Sequence, residues 1–227
     1  MDLSKYCKDV ISSEEIDLFK TNVRIICAGS SNSGKTQIVN QLIIENHNKF
    51  DKIFICGSPH KNILEQNNVL KDRIITFEHF PSIKEINDFD EKLHKLLLLD
   101  DAYVTAFSNI NVLSYFTHGR HSNISCILIT QNLFYSKGKF SRDISLNSTH
   151  IILLRIRDLS QIAHLSRQIY GKGLSSKIPD VYKFIAKKYK YPHLLIDVSG
   201  QVDEKLELRS HITRSNENRF QTVYIYN

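Results

Sequence analysis

Four cysteines are all that this 227-residue chain carries, and no two of them form a C-x-x-C pair. Cys27, Cys56 and Cys126 lie inside apolar runs that read as strands, while Cys7 stands apart. That arrangement speaks against a disulfide framework or a thiolate metal site and for buried free thiols in a reducing compartment. No apolar stretch approaches the ~18 residues that would span a bilayer, and no basic-then-apolar leader opens the chain. These absences predict a soluble intracellular protein without a membrane span. Internal repeats and low-complexity tracts are missing as well. Nor is there a dominant charge: 30 Lys and Arg against 24 Asp and Glu leave +6, compatible with nucleic acid but equally common in proteins that never meet it. The length suffices for one well-buried α/β domain and is short for two.

Short, punctuated apolar runs are what the chain does have. Val23–Ala28, Ile53–Cys56, Ile74–Phe77, Leu96–Leu99, Ile124–Ile129, Ile151–Leu154 and Leu194–Ile196 give seven candidate strands. Leu96–Leu99 above all is continuously apolar, as expected of a strand covered on both faces in a mainly parallel sheet. Between the runs, Thr36–Ile44, the early part of Ile83–Leu97, Leu159–Tyr170 and Lys177–Tyr189 have helical period. Pro81-Ser82 with Glu85 marks a helix start, and Gly171 a stop. Alternation of strand and helix predicts an α/β fold with a mainly parallel central sheet and helices on both faces. Residues 1–21 and 213–227 lack a strong pattern and are expected to be peripheral arms around a core domain at 22–212.

Gly29-Ser30-Ser31-Asn32-Ser33-Gly34-Lys35-Thr36 follows the first strand and opens the first helix, a complete G-x-x-x-x-G-K-[ST] in strand–loop–helix context. Glycines let the backbone curl so that successive N–H groups face a phosphate, and the helix N-terminus favours the anion. Lys35 would reach the β- and γ-phosphates of ATP, and Thr36 would offer its hydroxyl to Mg²⁺. The run Leu96–Leu99 ends in Asp100-Asp101. A buried strand delivers Asp100 to its tip, where a carboxylate can hold the magnesium shell; Asp101 occupies the place of the base that polarises the attacking water, where Glu is commoner. The strand Ile124–Ile129 ends in Thr130-Gln131-Asn132, and a polar tip there can sense the γ-phosphate. P-loop, Asp-Asp, then polar tip is the order in which an additional strand separates the P-loop strand from the metal strand.

The block Phe116-Thr-His-Gly-Arg120-His-Ser-Asn-Ile-Ser-Cys-Ile-Leu-Ile-Thr-Gln131-Asn-Leu-Phe134, followed by Arg142-Asp-Ile-Ser-Leu-Asn147, resembles the packaging ATPases of the FtsK–HerA superfamily. The likeness is nearest to the versions in Polinton (Maverick) elements and virophages, with poxvirus packaging ATPases further off. It runs from about Asn22 to about Ile212. The resemblance implies an α/β domain of the additional-strand P-loop type that forms a hexameric ring, hydrolyses ATP at subunit interfaces and drives double-stranded DNA through its centre. It further implies a capsid or portal-vertex partner and a place inside an infected cell or with the virion. The Gly-Arg before the strand resembles an arginine-finger element, carried over to Arg120, with Arg142 as second choice.

Tyr135-Ser-Lys137-Gly-Lys139-Phe140-Ser-Arg142 interleaves aromatic and basic residues in a loop after Gln131, suited to a phosphate backbone. Lys183, Lys187 and Lys190 fall on one face of a helix, where a solvated stripe is the plainer account. His118 and His121 are spaced i, i+3 but have no Cys or carboxylate cluster beside them to complete a metal site. Three rivals remain: a nucleotide kinase, which would need an Arg-rich lid; a terminase-type motor, for whose nuclease domain there is no room; and a non-catalytic nucleotide-binding scaffold.

Overall fold

The computed structural model describes residues 7–12, 17–57, 64, 67–100, 105–213 and 220–225. Its strands are β1 (Cys7–Ser12), β2 (Arg24–Ala28), β3 (Lys52–Cys56), β4 (Ile74–Phe77), β5 (Lys95–Leu99), β6 (Ile124–Thr130), β7 (His150–Leu153), β8 (Leu194–Asp197), β9 (Leu208–Ser210) and β10 (Phe220–Tyr224). Helices are α1 (Lys35–Glu45), α2 (Ile83–Asn87), α3 (Ile110–Thr117), α4 (Ser141–Leu146), α5 (Leu159–Tyr170) and α6 (Lys177–Lys188). All strands join one sheet in the order β1-β10-β9-β8-β7-β2-β6-β5-β3-β4. From β7 through β4 every pairing is parallel, whereas β8, β9, β10 and β1 add on antiparallel.

Each of the seven apolar runs forms a strand, and β5 and β6 are buried at every position. Side chains alternate between two cores because successive Cβ atoms of a strand point to opposite faces. Ile25 and Cys27 of β2 pack with Ile38, Val39, Leu42 and Ile43 of α1. Ile26 and Ala28 face the other core, built with Val112, Tyr115 and Phe116 of α3 and with α5 and α6. Burying a leucine such as Leu97 or Leu99 contributes about 2 kcal/mol, so the central strands anchor whatever their tips carry. Helix α2 starts as expected: Ser82 Oγ accepts from Glu85 N at 3.2 Å while the Glu85 carboxylate accepts from Ser82 N at 2.7 Å. Those bonds from Ser82, with one from His79, hold the Glu85 carboxyl down at about 2. Helix α5 ends at Gly171, whose φ is 73°.

Residues of both expected arms belong to the sheet. Residues 7–12 pair antiparallel with Phe220–Tyr224, and β10 in turn pairs with β9. The extension is tied to the parallel strands by a buried polar cluster: Asp197 Oδ2 accepts from Arg209 at 2.9 Å and lies 3.2 Å from His150 Nε2. Burial alone would raise the Asp197 carboxyl; bonds from His150 and Ser199 and the Arg209 charge hold it well below the usual carboxylate range.

Candidate nucleotide site

Between the last residue of β2 and the first of α1 the chain makes the expected cradle. It is stitched to both neighbouring strands, since Gly29 N donates to Thr130 O at 3.1 Å and Ser30 N to Arg155 O at 2.7 Å. A Cβ at Gly29 would stand 2.6 Å from Ser33 Oγ and 2.9 Å from Leu154 Cβ, so only glycine fits. Asn32 and Gly34 take φ of 60° and 91°, left-handed values that turn the backbone into the helix. Helix α1 then begins with no side-chain cap and no acid in its first turn, leaving its terminal N–H groups suited to an anion. Ser33 Oγ is buried without a hydrogen-bond partner, as expected of a group that awaits a ligand oxygen. The Lys35 ammonium folds back over the loop and donates to Gly29 O at 2.7 Å and Ser30 O at 3.0 Å. These features fit a nucleotide phosphate.

At the tip of β5, Asp100 is buried and its N–H donates to Cys56 O at 2.9 Å. Gly57 passes close beneath it with φ 116°, where a Cβ would meet Asp100 O at 2.3 Å. Strand β6 lies between β2 and β5, the additional-strand order. Burial pushes the Cys27 thiol up to about 12, with the Lys35 charge opposing and Asp100 adding to the rise. The buried Asp100 carboxylate and the hydroxyl of half-buried Thr36, at the second position of α1, are oxygen donors of the kind Mg²⁺ takes. Asp101 lies outside the described residues.

Gln131 is exposed just past β6, on the same edge as the P-loop. The tip is braced by Gln161 of α5, whose Oε1 accepts from Leu133 N at 2.9 Å and whose Nε2 stands 3.4 Å from Asn132 Oδ1. Nothing in the sequence singles out Gln161, because the bond is made across the fold. Lys137 and Lys139 sit exposed in the loop that follows. Arg142, expected in that loop, instead occupies the first turn of α4, because Phe140 and Ile144 pack into the core and pull the chain into a helix. Lys183 and Lys187 are exposed on α6, but the helix stops at Lys188, so Lys190 falls off the expected stripe and places its ammonium 5.5 Å from the Tyr191 ring.

Arg120 is elsewhere. It lies in the short turn Gly119–Ser122 that leads into β6, at the N-terminal edge of strands whose C-terminal edge carries the P-loop. Its carbonyl accepts from Asn22 Nδ2 at 3.2 Å, and its guanidinium contacts His121 at 3.2 Å. The length of β6 puts roughly 20 Å between Arg120 and the nucleotide edge of its own subunit. His118 and His121 gather no third metal ligand among the described residues. No helix among them is long and apolar enough to cross a membrane.

Fold and cradle together define a P-loop NTPase fold of the additional-strand type. Solved structures share it. The genome-packaging NTPase B204 of Sulfolobus turreted icosahedral virus 2 with ATP-γ-S aligns over 80% of this chain and 94% of its own at a TM-score of 0.55 and 15% identity. Its AMP complex aligns over 80% and 95% at 0.53 and 12%. B204, the DNA-packaging ATPase from Sulfolobus turreted icosahedral virus, aligns over 80% and 95% at 0.52 and 16%. At such identities the likeness is one of fold. No protein-family model matches the chain, and no characterised protein matches it in sequence.

Proposed function

We propose that the protein is an ATPase of the FtsK–HerA type that packages a viral or virus-like genome by translocating double-stranded DNA. One observation carries the reading: the cradle and Asp100 share a sheet edge with Gln131 on the strand between them, in a fold common to genome-packaging NTPases. Lys35 and the α1 N-terminus hold the phosphates, and Thr36 and Asp100 hold Mg²⁺, which when bound neutralises the charge that builds on the γ-phosphate. Asp101 takes the proton of the attacking water, and Gln131 orients that water and reports the γ-phosphate. Lys137, Lys139 and Arg142, which follow Gln131 in the chain, grip phosphates of the duplex without regard to sequence.

Arg120, facing away from its own cradle, serves the site of the next subunit in a ring, in our reading a hexamer docked on a capsid or portal-vertex protein in the infected cell. An arginine in that role cannot act in cis across roughly 20 Å of sheet. Release of inorganic phosphate from ATP, measured with Mg²⁺ and with or without duplex DNA, tests the assignment. Hydrolysis stimulated by duplex of arbitrary sequence supports it; hydrolysis indifferent to DNA but stimulated by a small phosphate acceptor would favour a kinase.

A further inference from the structure

A depression of about 550 Å³ opens beside the nucleotide edge, between the loop after β6, α4 and the outer face of α5. Lys139, Arg142 and Arg167 line it, with His164 of α5 and the ring of Phe134, and no Asp or Glu is among its lining residues. Three cations without a carboxylate make a site for an anion, and one too wide for a lone phosphate ion. Phe134 stands edge-on to His164 with ring centroids 4.9 Å apart and presents an apolar surface beside the charges. The backbone of Tyr135 donates to Ser141 Oγ at 3.1 Å, which ties the loop carrying Lys139 to the start of the helix carrying Arg142. Gln161 stands in the wall of the same depression, and it is also the residue that braces Leu133 and Asn132 at the tip of β6. A ligand that presses on α5 therefore reaches the Gln131 tip through one side chain.

We infer that this depression takes the sugar–phosphate backbone of DNA, with Arg167 as a phosphate-binding residue on α5 and Gln161 as the positioning residue that transmits occupancy to the strand tip. The inference rests on the reading of the protein as a DNA-dependent ATPase. The shared chemistry is a phosphate group, which a neighbour's ATP could also supply, and the experiment separates the two sources. Arg167 is exposed, so its replacement leaves the core intact.

Binding of a fluorescein-labelled duplex of random sequence, in the presence of Mg²⁺ and a non-hydrolysable ATP analogue, is followed by anisotropy across a salt series for the wild type, Arg167→Gln and Gln161→Leu. Arg167→Gln is expected to weaken duplex binding several-fold and to lower the slope of log affinity against log salt by about one, the loss of one phosphate contact. Gln161→Leu is expected to keep duplex affinity and the KM for ATP while the duplex-stimulated kcat falls, a split that a general loss of structure would not produce. If the wild type binds duplex and Arg167→Gln binds it with the same affinity and slope, the depression is not the DNA site although the motor reading stands. If Arg167→Gln instead slows DNA-free turnover without touching duplex affinity, the phosphate comes from a neighbour's nucleotide and the inference is overturned. Failure of the wild type to bind duplex at all removes the motor reading and this inference together. Undiminished stimulation in Gln161→Leu overturns the positioning role.

Discussion

Replacing Gly57 by alanine perturbs Asp100, the carboxylate proposed to hold the metal, without altering any side chain proposed to meet the nucleotide. The new Cβ would lie 2.3 Å from the carbonyl oxygen of Asp100, against the 3.3 Å or so of an ordinary C···O contact, so one of the two backbones must retreat by roughly 1 Å. Gly57 also holds a φ of 116°, a region that costs a residue with a side chain about 1–3 kcal/mol. Backbone strain and displaced strand tip together should destabilise the domain by about 2–4 kcal/mol, a large share of a stability of order 10 kcal/mol. Because Asp100 N–H bonds to Cys56 O, the residue before Gly57, the shift passes to Asp100, and a misplacement of ~1 Å can lower turnover by ~10²-fold. Urea unfolding and Mg²⁺-dependent phosphate release measure the two effects. Gly171→Ala is the control for backbone strain alone: φ 73° with ψ −169° is a region that costs a residue with a side chain about 1–3 kcal/mol, but nothing lies within 4 Å, so turnover should be left alone. A Gly57→Ala protein as stable and as active as Gly171→Ala would refute the proposed contact between β3 and the β5 tip.

Other outcomes follow from the site. Lys35→Ala should abolish ATP hydrolysis with the thermal transition preserved, since the backbone cradle remains; undiminished phosphate release would contradict the P-loop assignment. Asp101→Asn should still bind Mg·ATP yet turn over far more slowly, because an amide cannot accept the water's proton, and normal turnover would remove Asp101 from the base role. Arg120→Ala and Lys35→Ala should each be inactive alone and regain part of the ATPase when mixed, because some interfaces then pair an intact cradle with an intact finger; no rescue despite demonstrated subunit exchange would leave Arg142 as the candidate. His193 Nε2 accepts from His211 N at 2.8 Å, and burial with the His211 charge lowers its pKa from 6.5 to about 4. The fold therefore favours its neutral form, and the stability it contributes is full above pH 6.5 and falls by up to about 3 kcal/mol as pH drops toward 4. Unfolding midpoints across that range should show the loss, and His193→Gln should flatten it.

Much of the architecture was legible because strands covered on both faces carry apolar runs, and β2, β3, β5, β6, β7 and β8 each do, with their charged residues confined to an end of the strand. The outer antiparallel strands β9, β10 and β1 were not. β9 is Leu208-Arg-Ser, and its Arg209 is buried only because Asp197 of a neighbouring strand is there to receive it. No periodicity within three residues reveals that. Helix α3 carried a start signal, Asn109, whose side chain accepts from Asn111 N and Val112 N, but the helix spans little more than two turns. The P-loop pattern was legible because its residues are contiguous in the chain, although the bonds that hold the loop reach Thr130 and Arg155. The tasks of Gly57 and Gln161 were hidden for the opposite reason, since each is set by a backbone group far away in sequence. The remoteness of Arg120 from its own cradle follows from parallel pairing of β2 and β6, which the order of motifs alone could not fix.

Displacement of a third strand from a triplex carried at one end of a duplex tests the motor reading most directly. The wild type with Mg·ATP should release the third strand after a lag that lengthens with the duplex ahead of it, while Lys35→Ala and the wild type with a non-hydrolysable analogue release none. Sustained ATP hydrolysis on the same DNA with no displacement at any duplex length would contradict translocation.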